Sequence, residues 1–427
     1  MPGIDPSTSV AAGGRRLPKG QRDRFGIARD GCASCGCDFG GGVVVLFYAY
    51  VTVEDPKSFA DRVRSVCEQE GITCKIRIAH EGINSTAAGS REGIDRLIQA
   101  LKTDEGEPEI ASACKDLDYK KQPGCSHLFD AVSVRVVPEI VPFDDTNARP
   151  LGLKPGIARG VGEGADVQSN YRSNDELITP IEHLDSSAFH EEAKNVDKKS
   201  IDASDDTPII LDVRNWYESR IGHFKGATLA PIRRFSQLPE WIDRNPSQFK
   251  NKRVLMYCTG GVRCEKASAY LANLDSESRP KSIAQLKGGI AAYARDIASG
   301  TDGYDAGTTT PDAQAKTSLY VGQNFVFDNR GSTKVTDEKT KCGWCDGCGQ
   351  STNRVDACAS AGCHTLLLVC ETCSGGDESI TQEHKVHCCE SCEAQHAEKI
   401  NGTNKSKRRR PCDCDGFAAR ERRLRAR

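Results

Sequence analysis

Two groups of residues in this 427-residue chain have the types and spacing that chemistry needs. The first is Cys258-Thr259-Gly260-Gly261-Val262-Arg263. A cysteine that ends a buried strand and opens a loop into a helix N-terminus meets converging backbone N–H groups. Those donors and the positive helix end favour thiolate over thiol. Gly260 and Gly261 let the backbone turn inward without a Cβ clash, and Arg263 adds a fixed positive charge. Only four residues separate Cys258 from Arg263, so the loop is small for a tetrahedral phosphate and suits a persulfide or another sulfur-bound group. Cys264, next in line, either packs or traps an oxidised Cys258. Helical geometry favours packing, with its thiol turned away from the loop.

The second group is thiol-rich: Cys345-x2-Cys348, Cys358-x4-Cys363, Cys370-x2-Cys373 and Cys388-Cys389-x2-Cys392. Paired thiolates two residues apart can hold one side of a tetrahedral zinc, and two pairs complete a four-cysteine site. Eight ligands imply two zinc ions. Interleaved pairing puts Cys345, Cys348, Cys370 and Cys373 on one ion. Cys358, Cys363 and Cys392 take the other, with Cys388 or Cys389. Cys342, His364, His384 and His387 are substitutes. A segment so short and poor in core residues gains its folding energy from metal.

The elements that position these groups follow from periodicity. Val254–Tyr257 is an apolar run the length of a buried parallel strand, and Glu265–Leu271 has helical composition. Upstream, Pro208–Arg214 reads as a strand ending in Asp212 and Arg214, which pair beside the loop. Trp216 opens a helix, Gly222–Ala227 turns back with His223 packed at the turn, and Ser282–Leu286 is a further strand. Strands alternating with helices at this spacing imply a parallel α/β sheet whose ligands sit at the strand C-terminal ends.

An earlier unit reads β-α-β-β-α-β: strand Val43–Val53, helix Pro56–Glu70, strand Ile72–Ala79, turn His80–Thr86 with a short strand after it, helix Ser90–Leu101, strand Val132–Val141. That order is ferredoxin-like. In its turn, Glu81, Gly82 and Asn84 are candidates for RNA contact, or plain turn residues. A short helix is expected within Ser173–Phe189, and a strand within Ser318–Arg330 that adds to the α/β sheet domain. Its aromatics either pack or stack a base.

Composition bounds the rest. Hydrophobic content of 37% and a formal charge of −2 describe a soluble chain without global nucleic-acid bias. No apolar stretch approaches the ~20 residues that span a bilayer, so no membrane partner is expected. Twenty-one cysteines without an export signal indicate metal in a reducing compartment rather than disulfides. Cys32, Cys35 and Cys37 lack a second pair and read as tail cysteines. The basic residues of the first 30 positions are diluted by Asp5, Asp23 and Asp30. A disordered tail of a cytoplasmic protein is therefore expected, with plastid or mitochondrial targeting as the alternative. Lys405–Arg427 holds ten Lys and Arg against three acidic residues, a tail that would attract an RNA backbone or simply be solvated.

These motifs together resemble one family. The string CTGGVRCEKASAYL from Cys258, the pattern D-V-R-x-x-x-E…G-H-x-x-G-A from Asp212, the EGINST turn, the Ser318–Arg330 connector and the cysteine-rich tail are similar to those of the rhodanese-like tRNA uridine hydroxylases. The resemblance implies an α/β rhodanese-like domain with a parallel sheet, an α+β ferredoxin-like domain before it and a small zinc-binding region after it. The expected divisions are a tail (1–42), the ferredoxin-like domain (43–142), a linker (143–178), the rhodanese domain (179–300), a connector (301–340), the cysteine-rich region (341–396) and a basic tail (397–427). The resemblance also implies tRNA as partner and oxygen-dependent hydroxylation of the wobble uridine to 5-hydroxyuridine, with Cys258 essential. The residues alone reach an activated thiolate beside an arginine. Two other functions stay open on that basis: a sulfurtransferase taking sulfane sulfur from a donor onto Cys258, and a non-catalytic zinc/RNA adaptor.

Overall fold

A computed structural model of the chain describes residues 42–124, 126–143, 179–198, 208–298, 318–335, 341–374 and 385–401, with positions 416, 417 and 420. The linker Leu151–Ala165, the Cys32–Cys37 cluster and nearly all of the basic tail lie outside them. The chain divides into two units. Of the described residues, one holds 42–140 with Asp328–Arg330, and the other those of 141–327 and from Gly331 onward.

In the first unit, alternation along β1 (Gly42–Tyr50) and β2 (Thr73–Ala79) sends Val45, Phe47, Cys74, Ile76 and Ile78 to one buried face. There α1 (Pro56–Gln69) contributes Phe59 and Val63, and α2 (Arg91–Lys102) contributes Ile94, Leu97 and Leu101. Asp55 caps α1 and Ser90 caps α2 through side-chain oxygens on the first free N–H groups. The remaining elements are β3 (Gly82–Ser90), α3 (Pro108–Lys115), β4 (Lys120–Gly124) and β5 (Val132–Val136). Sheet order is β4-β1-β3-β2-β5. The ferredoxin-like order is present, but the strand closing it beside β1 is β4, not the one starting at Val132. The latter is a fifth strand, parallel to β2. A second correction concerns EGINST. Gly82 already pairs with Tyr50, so β3 begins inside the motif and the turn shrinks to His80–Glu81.

The second unit is built on a five-stranded sheet in the order β6-β11-β10-β7-β9, parallel at every pairing: β6 (Ile181–Leu184), β7 (Ile209–Asp212), β9 (Thr228–Leu229), β10 (Arg253–Tyr257) and β11 (Ser282–Leu286). Around it lie α4 (Ser186–Lys198), α5 (Trp216–Ile221), α6 (Leu238–Asp243), α7 (Val262–Ala272) and α8 (Gly289–Tyr293). Ile181 and Leu184, expected in a helix, form edge strand β6, and the helix begins at Ser186. The connector strand β12 (Tyr320–Phe325) pairs with β8 (Gly222–Phe224) and with β13 (Ser332–Lys334). Its Tyr320 is buried against Phe224, Tyr257 and Tyr293, so this aromatic packs rather than stacks a base. The cysteine-rich segment adds β14 (Val355–Ala357), β15 (Leu366–Leu368) and α9 (Glu390–Ile400). No helix among the described residues is long and apolar enough to cross a membrane.

Candidate functional site

Strand β10 delivers Cys258 at its C-terminal end, at the centre of the parallel sheet, and α7 starts four residues later. Gly261 is the N-cap of α7 at φ +102°, a conformation only glycine adopts without strain. Its N–H donates to Cys258 Sγ at 3.1 Å. The loop is held from behind by the start of α8, where the N–H groups of Ile290 and Ala291 donate to the carbonyls of Cys258 and Thr259, each at 3.0 Å. Val262, half-buried, is the first residue of α7.

Cys258 itself is fully buried. Burial alone would push its thiol up. The Cys264 thiol, the Arg263 guanidinium and the N–H groups of Arg263 and Gly260 outweigh that and bring it down to about 5. The sulfur is therefore closed off from solvent and set among donors. Cys264 does not turn away as helical spacing implied. From the first turn of α7 its thiol faces Cys258, and burial together with that neighbouring charge keeps it well above its ordinary value, a protonated donor.

Arg263 is not a free cation in the loop. Its two terminal nitrogens donate to the two carboxylate oxygens of Glu218, both at 2.7 Å, and one also reaches Thr259 Oγ1 at 3.2 Å. The Phe327 ring, half-exposed, lies 5.9 Å from the guanidinium. Glu218 is fully buried on α5, where it also accepts the Asn215 N–H in a capping box. Asp212 and Arg214, at the end of β7, are both inaccessible and joined at 2.6–3.2 Å. Tyr257 Oη donates to Asp212 Oδ2 at 2.8 Å, and Arg214 donates to the Gly222 carbonyl at 2.6 Å. Burial would raise the Asp212 carboxyl, and Arg214 holds it below the usual carboxylate range. This network ties β7, β10 and β8 together behind the loop and does not touch the sulfur. His223 serves the turn it sits in: its Nδ1 pairs with the Ser219 carbonyl at 2.8 Å.

The cysteine-rich segment gathers its thiols into two sets. Cys345, Cys348, Cys370 and Cys373 form one, and Cys358, Cys363, Cys388 and Cys392 the other, with all Sγ atoms of a set within 4.8 Å of one another. Tetrahedral zinc–thiolate geometry puts sulfurs roughly 3.8 Å apart, so either set closes on an ion with small adjustments. Backbone N–H groups already point at these sulfurs: Gly347 and Cys370 at Cys345, Cys373 at Cys370, Cys388 at Cys358, at 3.3–3.5 Å. Such donors stabilise thiolates that bind metal. Between the two adjacent cysteines, Cys388 joins the second set. Cys389 serves as the N-cap residue of α9, outside it. Cys342, His364 and His387 belong to neither set, and His384 lies outside the described residues.

Glu81, Gly82 and Asn84 belong to the first unit and the cysteine loop to the second, and each of the three has a structural partner. Glu81 Oε1 accepts the Ile140 N–H at 2.8 Å and Asn84 Nδ2 donates to the Ile140 carbonyl at 3.3 Å. A Cβ on Gly82, at φ +136°, would lie 1.9 Å from the Ala49 carbonyl oxygen.

Two residues inside the sequence motifs have contacts with Arg263 that sequence reasoning did not assign to them. Glu218 could have been found, since Asn215-x-x-Glu218 has capping-box spacing inside the D-V-R-x-x-x-E pattern. Phe327 is one of the connector aromatics expected to pack or to stack a base, and nothing local to it pointed to Arg263.

Comparison with known proteins places three family domains on the chain: the UPF0176 acylphosphatase like domain over residues 42–140, the rhodanese-like domain over 193–296 and the rhodanase C-terminal domain over 321–393. Among curated proteins, the chain is similar to the tRNA uridine(34) hydroxylase of Staphylococcus carnosus (strain TM300). Identity is 32% over 358 residues, covering 83% of this chain and 90% of that one. It is also similar to the protein of that name from Staphylococcus saprophyticus, at 32% over 334 residues (77% and 84%). For Staphylococcus aureus (strain COL) the identity is 31% over 331 residues (77% and 84%). A solved BLUF protein, BlrB, covers 23% of this chain and 74% of its own at 17% identity and a TM-score of 0.19, which carries no argument.

Proposed function

Because the chain belongs to the tRNA uridine(34) hydroxylases, we propose that it hydroxylates C5 of the wobble uridine of tRNA, with Cys258 as nucleophile and molecular oxygen as co-substrate. The observation that carries this reading is a buried cysteine brought down to about 5 inside a ring of donors, at the strand end where parallel sheets bind ligands. Addition of the thiolate to C6 of uracil forms a C–S bond and moves the C5=C6 pair onto C5 and the C4 carbonyl. C5 then takes one oxygen atom. Loss of its proton and expulsion of the sulfur restore the double bond. The base loses two electrons. The second oxygen atom leaves as water, with two electrons and two protons from a reductant, supplied in vitro as a thiol.

The two thiolate sets are read as zinc sites. Four cysteines fill a tetrahedral ion and leave no position for substrate, so each ion supplies folding energy. Every described cysteine is free, which supports a reducing cytoplasm as the place of work. The test is nucleoside analysis of tRNA from cells lacking the protein. Wild-type complementation should restore 5-hydroxyuridine and Cys258→Ala should not. Restoration by Cys258→Ala refutes the nucleophile.

A further inference from the structure

The sheet of the first unit has one face under its helices and a second that Leu128 and Phe129 cover at Val44 and Ala88, leaving the residues beyond them accessible. Pairing register sets out the residues of this second face in rows. Tyr48 on β1 stands opposite Asn84 on β3, Asn84 opposite Arg77 on β2, and Arg77 opposite Arg135 on β5. The adjacent row runs from Lys120 on β4 through Leu46 and Thr86 to Lys75 and Ser133. Arg77, Arg135 and Lys75 are exposed, and Tyr48 and Tyr50 are half-exposed with their rings in edge contact at 6.0 Å. The Lys120 ammonium lies 5.6 Å from the Tyr48 ring.

Like charges directly opposite on neighbouring strands cost stability, and the Arg77–Arg135 pair has no hydrogen-bond or ion-pair partner among the described residues. Asp130 and Asp328 act on Lys75, one row away. The fold gains nothing from the arginine pair. A polyanion laid across the strands would. Strands about 4.8 Å apart place Arg135 about 14 Å from Tyr48 across three gaps, with the aromatic pair at one end and the guanidinium pair at the other. Stacked bases and backbone phosphates require that combination.

We propose that this face binds a single-stranded segment of the RNA substrate, with bases stacked at Tyr48 and Tyr50 and phosphates at Arg77, Arg135 and Lys75. The inference rests on the tRNA reading above and gives that substrate a second foothold besides the cysteine loop. The test is fluorescence anisotropy of the full chain with a labelled anticodon stem–loop RNA carrying uridine at the wobble position, across a salt series. Tyr48→Ala should weaken binding roughly 5- to 100-fold. Arg77→Gln and Arg135→Gln should each flatten the log K against log salt slope by about 1. Arg96→Gln, on α2 and so on the helix side, is the control that should bind like wild type. If the sheet variants bind like wild type while 5-hydroxyuridine still forms, this proposal fails and the hydroxylase reading stands. If the wild type neither binds the RNA nor hydroxylates tRNA, both fail. If the arginine variants change only the sedimentation of the protein, the face joins copies of the chain and the proposal is overturned.

Discussion

At Cys258 a negative charge is kept where water cannot reach it, and that is tolerable only because donors replace the water. The Gly261 N–H at 3.1 Å, the Cys264 thiol and the Arg263 charge do so. The Glu218 clamp has a separate effect: it fixes the guanidinium in one place, so its field at the sulfur does not depend on a mobile side chain. The pH profile of alkylation by iodoacetamide follows from this. Reactivity of Cys258 should rise through a midpoint near 5, far below an ordinary cysteine at ~8.5. Cys264→Ala removes a donor to the thiolate, so its midpoint should move up, and Cys264→Ser, which keeps a donor, should move less. Mass-spectrometric mapping of the labelled residue checks both, and a wild-type midpoint near that of an ordinary cysteine would sink the assignment. Cys258 and Arg263 were readable because strand, glycines and cation are contiguous. The direction of Cys264 was not, because the loop folds back over the first turn of α7 and helical spacing alone cannot report that.

Elements were legible where their own pattern decided them. β10 and α7 follow from an apolar tetrad, two glycines and a helical stretch, and α1 and α2 from apolar spacing with their caps. β4 was not, because Lys120–Gly124 is polar, contains Pro123 and becomes a strand only by pairing with β1. β6 was misread because Ile181 and Leu184, three apart, fit a helix as well as a four-residue strand, and pairing with β11 settles the matter. In the cysteine-rich segment, spacing limited the second site to Cys388 or Cys389, and the start of α9 decides between them. The N-cap residue Cys389 stays outside the four-thiol set, its sulfur 3.9 Å from that of Cys388. Metal analysis of purified protein should then give two zinc ions per chain for the wild type and for Cys389→Ser, and close to one for Cys388→Ser. Equal loss from both variants would mean that the helix start does not choose the ligand.

Across the whole chain, the division into two units separates what metal can stabilise from what it cannot. Trp216, Tyr217 and Ile221 of α5 share a buried cluster with Val355, Leu367, Leu368, Cys358 and Cys392, and Arg220 is paired with Asp346 at 2.8 Å. The helix that carries Glu218 is thus packed on the thiolate module, and both belong to the second unit. The first unit has its own buried face under α1 and α2 and holds neither thiolate set. Binding to the folded state alone adds about 2.7 kcal/mol when free metal exceeds the dissociation constant a hundredfold. In a domain of this size each kcal/mol moves the midpoint by about 2–4 °C. Calorimetry with and without a strong chelator should therefore show one transition falling by at least several degrees and a second, from the first unit, staying in place. The same treatment should move the alkylation midpoint of Cys258, because loosening α5 releases the carboxylate that holds Arg263. If both transitions shift together, metal supports the chain as one body. If the second unit's transition falls while the midpoint stays near 5, the thiolate module supports α5 without reaching the sulfur.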